Sequence, residues 1–164
     1  PKGAMYTHRT VANYLTLFTK DIVRMRDEKH YKLVSYLPLA HVYERSAIQL
    51  ASTCICSDVS FVESLDKFTE NLREIKPLFF TAVPRIWGVF QQRIEQKIPA
   101  SKLNLLLKIP LVSSLIKKKI LNALGLLDNM TFISGASHMP ISIMKFFDTL
   151  GIKIQEGYGQ TENL

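Results

Sequence analysis

Met130-Thr131-Phe132-Ile133, then Ile141 to Leu150, then Ile152-Lys153-Ile154 is the stretch that decides the fold. The two outer runs are short, apolar and rich in β-branched and aromatic residues, as strands are. The middle run has helical length and is stopped by Gly151. Strand, helix, strand in this order predicts a crossover that leaves the two strands parallel. Ser134-Gly135-Ala136-Ser137 follows the first strand. Gln155-Glu156-Gly157-Tyr158-Gly159-Gln160-Thr161-Glu162 follows the second.

Working outward, the same alternation continues. Leu78 to Val83 is an apolar run stopped by Pro84, and a helix is expected from Arg85 to about Lys97. Ser64 is placed to cap a helix through Leu65, Phe68, Leu72 and Ile75, ending before Pro77. Val59 to Val62 reads as a short strand, and Tyr43 to Cys56 as a buried helix. Tyr31 to Leu37 reads as a strand that feeds Pro38-Leu39-Ala40-His41. Thr7 can cap a helix whose apolar residues Val11, Tyr14, Leu15 and Phe18 recur at three and four. Asp128-Asn129 reads as a turn. These elements predict an α/β fold, a mostly parallel sheet with helices on both faces. In such sheets ligands sit beyond the carboxyl ends of strands. The loops at His41, Gly135 and Tyr158 all follow strands.

The 164 residues suffice for one domain with a core, and 47% apolar with 21% charged residues describes a globular chain. The net charge is +7, with much of the excess between Arg85 and Lys119. No aromatic residues interleave with Arg93, Lys97, Lys102, Lys108 and Lys117-Lys118-Lys119, which argues against a nucleic-acid platform. The segment from about 99 to 127 is basic and helical. Leu111, Leu115, Ile116, Ile120, Leu121 and Leu124 are expected to form one stripe, with Lys117-Lys118-Lys119 on the other side. It cannot span a bilayer, because lysines and Pro110 interrupt every long window. It can lie on an anionic membrane surface, or pack on other parts of the protein. Cys54 and Cys56 are expected to be buried, reduced thiols, which suits a reducing compartment.

Chemistry concentrates after Ile154. Glycines at 157 and 159 let the backbone approach a ligand. Tyr158 offers a face for stacking, Thr161 a donor to a phosphate oxygen and Glu162 a hard oxygen ligand for Mg²⁺. Thr161 and Glu162 could instead begin a helix, one near the cap and the other in the first turn. His41 reads either as a structural histidine or as a group beside a substrate.

Gly157-Tyr158-Gly159-Gln160-Thr161-Glu162 and the opening Pro1-Lys2-Gly3 together resemble the adenylate-forming superfamily. Tyr36-Leu37-Pro38-Leu39-Ala40-His41-Val42-Tyr43-Glu44-Arg45 and Thr81-Ala82-Val83-Pro84-Arg85-Ile86-Trp87 are similar to its long-chain fatty acyl-CoA synthetase branch. The resemblance spans the chain and implies a single partial AMP-binding domain over residues 1–164, a slice of the large N-terminal region. It implies ATP, Mg²⁺ and CoA as co-reactants and a long-chain fatty acid as substrate. A carboxylate would attack the α-phosphate, releasing pyrophosphate, and a thiol would then take the acyl group.

By the family pattern Thr161 would hold the α-phosphate, Glu162 would bind Mg²⁺, and His41 would lie beside the acyl carboxylate. Tyr158 with Gly157, Gly159 and Gln160 would border the nucleotide. Gly135, Ala136 and Ser137 would border adenine, where serine at 137 departs from the commoner alanine or proline. Lys2 and Gly3 would end the phosphate loop. The expected setting is cytoplasmic, with peripheral contact at the inner face of a membrane. A carrier protein as acceptor, or a non-catalytic lipid-surface module, are the alternatives. With the family's hinge and catalytic lysine beyond Leu164, this stretch by itself is expected to be inactive.

Overall fold

The computed structural model describes residues 3–25, 31–64, 66–127 and 130–163, with side chains described outside 22–25. Lys2, Leu65 and the Asp128-Asn129 pair lie outside the described residues. The elements run α1 (His8–Met25), β1 (Lys32–Ser35), a π-helical segment Glu44–Leu50, α2 (Ala51–Ile55), β2 (Asp58–Phe61) and α3 (Phe68–Ile75). They continue with β3 (Phe79–Ala82), α4 (Pro84–Lys97), α5 (Ala100–Leu107), α6 (Pro110–Leu124), β4 (Thr131–Ser134), α7 (Ile141–Thr149) and β5 (Ile154–Glu156).

All paired strands run parallel. β1 pairs with β2, and β3, β4 and β5 pair in that order. The Leu78 N–H donates to the Lys32 carbonyl at 2.8 Å, which sets β3 beside β1. The lateral order is therefore β2-β1 next to β3-β4-β5. Connections leave β1 and β3 in opposite lateral directions, which makes the gap between their carboxyl ends a topological switch point.

Side-chain alternation explains why helices cover both faces. Val34, Phe80, Phe132 and Ile154 point one way, with Phe80 opposite Phe132 and Phe132 opposite Ile154 in register. They pack with Phe68, Leu72, Trp87, Phe90, Leu121 and Phe147 from α3, α4, α6 and α7. Trp87 is fully buried, with Phe147, Phe80, Phe90 and Phe132 around it at ring-centroid distances of 5.0, 5.3, 6.2 and 6.2 Å. Leu33 and Phe79 point the other way, onto Ile48 and Phe18. Among the described residues no helix is long and apolar enough to cross a membrane.

Four expectations change. Strand β5 begins at Ile154 rather than ending there, because Gln155 and Glu156 pair with Ile133 and Ser134. Gly157 therefore follows directly on the sheet edge. Helix α3 starts at Phe68; Ser64 Oγ only accepts the Lys67 N–H at 3.4 Å, closing a turn ahead of it. Cys54 and Cys56 are exposed free thiols, not buried ones. They stand at the end of the short α2, where Cys56 adopts a left-handed φ of 48° and turns the chain out.

The stripe on α6 also divides. Ile120, Leu121 and Leu124 are buried, whereas Leu111 and Leu115 are 82% and 70% exposed. At 100° per residue, Leu115 and Ile120 lie about 140° apart. The periodicity at three and four did not hold over the whole helix, and the lysines share the exposed side with the two leucines.

Candidate functional site

The carboxyl ends of β1, β3, β4 and β5 open onto one cleft of about 760 Å³. Its wall includes Tyr36, His41 and Tyr43 after β1, and Thr81, Ala82 and Val83 at the end of β3. Gly135 and Ala136 follow β4, and Gly157 to Asn163 follow β5. The three loops singled out in the sequence thus meet in one place. Gly3 and Ser137 are not among the lining residues.

Small residues hold the β4 and β5 loops together. The Gly157 N–H donates to the Ser134 carbonyl at 2.8 Å. A Cβ on Gly135 would stand 3.2 Å from the Gly157 carbonyl oxygen, so glycine keeps that approach open. Ala136 sits at φ 66°, in the left-handed region that a non-glycine residue occupies at a cost. Glu156 Oε1 accepts the Met139 N–H at 2.9 Å and lies 3.7 Å from His138 Nδ1. This carboxylate fastens the 135–140 loop to β5 and was not singled out in the sequence.

Tyr158 is 88% exposed and held by its edge: the Gln160 side-chain amide donates to its phenolic oxygen at 2.9 Å. The ring lines the cleft, with glycines on either side of it. Thr161 and Glu162 are exposed, in a turn closed by the Asn163 N–H donating to the Gln160 carbonyl at 3.1 Å. No helix begins there among the described residues. The Tyr6 hydroxyl donates to the Thr161 carbonyl, which brings the segment after Gly3 against this turn.

His41 Nδ1 accepts the Tyr43 N–H at 3.2 Å. The neutral ring therefore carries its proton on Nε2, a donor left for something in the cleft. Below it, Glu44 is wholly buried. Ser35 donates its hydroxyl to Glu44 Oε1, while Oε2 has no partner of good geometry. Burial raises the Glu44 carboxyl above its ordinary value, opposed by the Ser35 hydroxyl, the Leu37 N–H and the charge of His41.

Three phenols complete this inner wall. Burial pushes Tyr43 and Tyr36 well above the ordinary phenol range, with the nearby Glu44 charge adding to it. Burial raises Tyr14 too, and its bond with the Ser46 hydroxyl opposes the rise. All three stay neutral at physiological pH. Tyr36 donates to the Thr81 carbonyl, and the buried Thr81 hydroxyl faces the Tyr43 phenol, which opposes the rise at Tyr43. Sequence reading missed this wall; the only signal was aromatic residues at the start of the π-helical segment and on α1.

Among the described residues no group of three or more His, Cys, Asp or Glu side chains could cage a metal. One exposed carboxylate at the cleft, Glu162, fits an Mg²⁺ that is held chiefly by a nucleotide's phosphates.

Known proteins resemble the chain in sequence and in fold. The long-chain-fatty-acid–CoA ligase 5 of Mus musculus is 26% identical over 99% of this chain and 26% of its own length. The long-chain-fatty-acid–CoA ligase ACSBG2 of Rattus norvegicus is 28% identical over 99% of this chain and 29% of its own. The chloroplastic long-chain-fatty-acid–[acyl-carrier-protein] ligase AEE15 of Arabidopsis thaliana is 24% identical, over 99% and 28%. The chain thus spans little more than a quarter of these relatives. Among solved structures, the A-PCP didomain of carboxylic acid reductase from Segniliparus rugosus, in complex with AMP, superposes with a TM-score of 0.67. It is 24% identical over 98% of this chain and 22% of that one. The N-terminal domain of FACL13 from Mycobacterium tuberculosis gives a TM-score of 0.63 at 20% identity, over 99% and 34%. The family described as AMP-binding enzyme matches residues 1–164, and the chain belongs to it.

Proposed function

We propose that this chain supplies the nucleotide- and carboxylate-binding wall of an ATP-dependent long-chain fatty acid–CoA ligase. The observation that carries the reading is the single cleft shared by His41, Gly135-Ala136 and the Gly157–Glu162 loop at the strand ends. Two anions have to meet in such a reaction, so positioning and charge neutralisation supply most of the rate. A fatty acid carboxylate oxygen bonds to the α-phosphorus of ATP as the bond to pyrophosphate breaks. CoA sulfur then bonds to the acyl carbon, AMP leaves, and the thiol proton passes to solvent.

In this reading Tyr158 stacks on the adenine, and Gly135 and Ala136 let the base lie against backbone. Thr161 donates its hydroxyl to an α-phosphate oxygen. Glu162 completes an Mg²⁺ site whose charge neutralises the phosphates. His41 donates Nε2–H to the acyl carboxylate, with its ring held by the Tyr43 N–H. The neutral tyrosine wall accepts the apolar start of the acyl chain. Lys2, Gly3 and Ser137 enter only through their sequence motifs.

The acceptor is the point of a second reading, since one relative is named as an acyl-carrier-protein ligase. Fatty-acid-dependent ATP–pyrophosphate exchange by the intact protein, without CoA and across a chain-length series, tests the first half-reaction apart from the acceptor. Exchange should peak with long acids and fall on the order of 10²-fold in Thr161→Ala and Glu162→Ala. Unchanged exchange in both variants would remove those residues from the site.

A further inference from the structure

Glu44 is a wholly buried carboxyl on the turn that carries His41. The His41 N–H donates to the Pro38 carbonyl at 2.8 Å and the Arg45 N–H to the His41 carbonyl at 3.0 Å. Glu44 therefore rides the same helical turn as His41, three residues on. Ser35, the last residue of β1, donates its hydroxyl to Glu44 Oε1. The N–H groups of Leu37 and Tyr36 and the charge of His41 also favour its ionised form. Arg45, the adjacent cation, is directed elsewhere, donating Nη1 to Gln49 Oε1 at 2.8 Å.

Two direct roles in chemistry are closed to this carboxyl. It does not line the cleft, whose wall passes through His41, Val42, Tyr43 and Ser46 around it, so it does not touch a substrate there. Nor does it form a proton relay with His41, because Nδ1 of that ring already accepts the Tyr43 N–H at 3.2 Å. A purely structural role fits poorly as well. A buried carboxyl costs stability, and Oε2 has no partner of good geometry. A glutamine of equal length would bond Ser35 without bringing a charge inside. What only a carboxylate offers is two oxygens that accept and never donate, where a hydroxyl and two N–H groups converge.

We propose that Glu44 is a positioning residue that fixes His41 for the acyl carboxylate, an inference that rests on the ligase reading of the cleft. Its carboxylate clips the turn at 41–45 to the exit of β1 at 35–37. The His41 Nε2–H then keeps one distance from the place where the acid is received, and a displacement of about 1 Å at such a point can cost on the order of 100-fold. An amide at 44 would bring an N–H donor among the N–H groups of Tyr36 and Leu37. The turn would then be pushed off the strand and the ring would drift, while the fold survives.

The test uses the intact protein and fatty-acid-dependent ATP–pyrophosphate exchange. Glu44→Gln is expected to lower kcat/KM for the acid about tenfold or more, with KM for ATP within about twofold of the parent. Its melting temperature at neutral pH should be no lower than the parent's, a combination that a merely structural residue would not give. In a His41→Ala background the same substitution should add nothing, because both act at one point. Unchanged acid kinetics, an equal rise in KM for ATP, or losses that add to those of His41→Ala would each overturn the inference. A readout free of turnover is the His41 ring resonance in protein carrying isotope-labelled histidine, assigned by its loss in His41→Ala. It should move in Glu44→Gln and also in Ser35→Ala, which leaves the charge in place; an unmoved signal in Ser35→Ala would equally overturn the inference. If the parent shows no exchange with any acid, the ligase reading falls, and the ring signal alone decides whether Glu44 positions His41.

Discussion

Replacing Gly125 by alanine should unfold the α3–α6 contact far more than replacing Gly151, although both glycines have positive φ. Gly125 ends α6 at φ 73°, and the Leu126 N–H donates back to the Leu121 carbonyl at 2.9 Å. Gly151 stands at φ 85° after α7. The left-handed backbone alone costs an alanine about 1 kcal/mol at either site. At Gly151 nothing lies within 4 Å of the new Cβ, so that term is the whole effect. At Gly125 the Cβ would stand 2.5 Å from the Thr69 carbonyl oxygen and 2.8 Å from Leu72 Cβ. Thr69 O is helical backbone, and α3 cannot yield without losing the Arg73 bonds to Asn122 and Ala123.

Overpacking of this kind adds about 1–3 kcal/mol. The expected losses are therefore about 1 kcal/mol for Gly151→Ala and about 2–4 kcal/mol for Gly125→Ala. Urea denaturation of the intact protein, followed by circular dichroism, reads both. Equal losses in the two variants would refute the steric argument and leave only the backbone term.

Other consequences follow from the cleft. Glu44→Gln tests the buried carboxylate: its folded pKa is raised above the 4.5 of the free group. The folded state then binds more protons than the unfolded one, so this group's contribution is intact below pH 4.5 and is lost as pH rises through the folded pKa. The glutamine variant should gain stability relative to the parent as pH rises, and parallel melting curves at every pH would refute the burial argument. Glu156→Ala should release the Met139 N–H and raise KM for ATP several-fold, while Glu156→Gln, which keeps an acceptor, restores it. Equal KM values in the two variants would show that the loop does not depend on this bond. Tyr158→Phe removes the Gln160 contact but keeps the ring, so it should change KM for ATP less than about threefold. Tyr158→Ala should cost on the order of tenfold, and equal losses would remove stacking as its role.

The sequence could be read where chemistry is local. A glycine-flanked tyrosine with a hydroxyl and a carboxylate just beyond it needs only its neighbours to be recognised, and 157–162 does line the cleft. The strands Leu78 to Val83 and Met130 to Ile133 were legible because residues buried on both faces leave a continuous apolar run. What failed depends on partners distant in sequence. Nothing near Ile154 says that Gln155 and Glu156 will pair with Ile133 and Ser134, because register is fixed by the neighbouring strand. Cys54 and Cys56 were given to the core on the strength of apolar neighbours, but α2 is five residues long and presents both thiols to solvent.

Glu44 and the α6 leucines show the same limit from opposite sides. A glutamate among polar and aromatic neighbours reads as surface, yet Glu44 is buried because the π-helical segment packs against β1 and places it on Ser35. Leu111 and Leu115 were placed on one stripe with Ile120, Leu121 and Leu124, yet α6 contacts α3 and α5 through other residues and leaves those two exposed. Glu44 stands where hydrophobicity alone would not put it, and a wholly buried carboxyl with one oxygen unpartnered costs the fold stability. Raised by burial and joined to the Ser35 hydroxyl, the Glu44 carboxyl ties the turn beneath His41 to β1 at the wall of the cleft. Glu44→Gln, compared with the parent across pH, separates the part this carboxyl plays in holding the wall from its cost in stability.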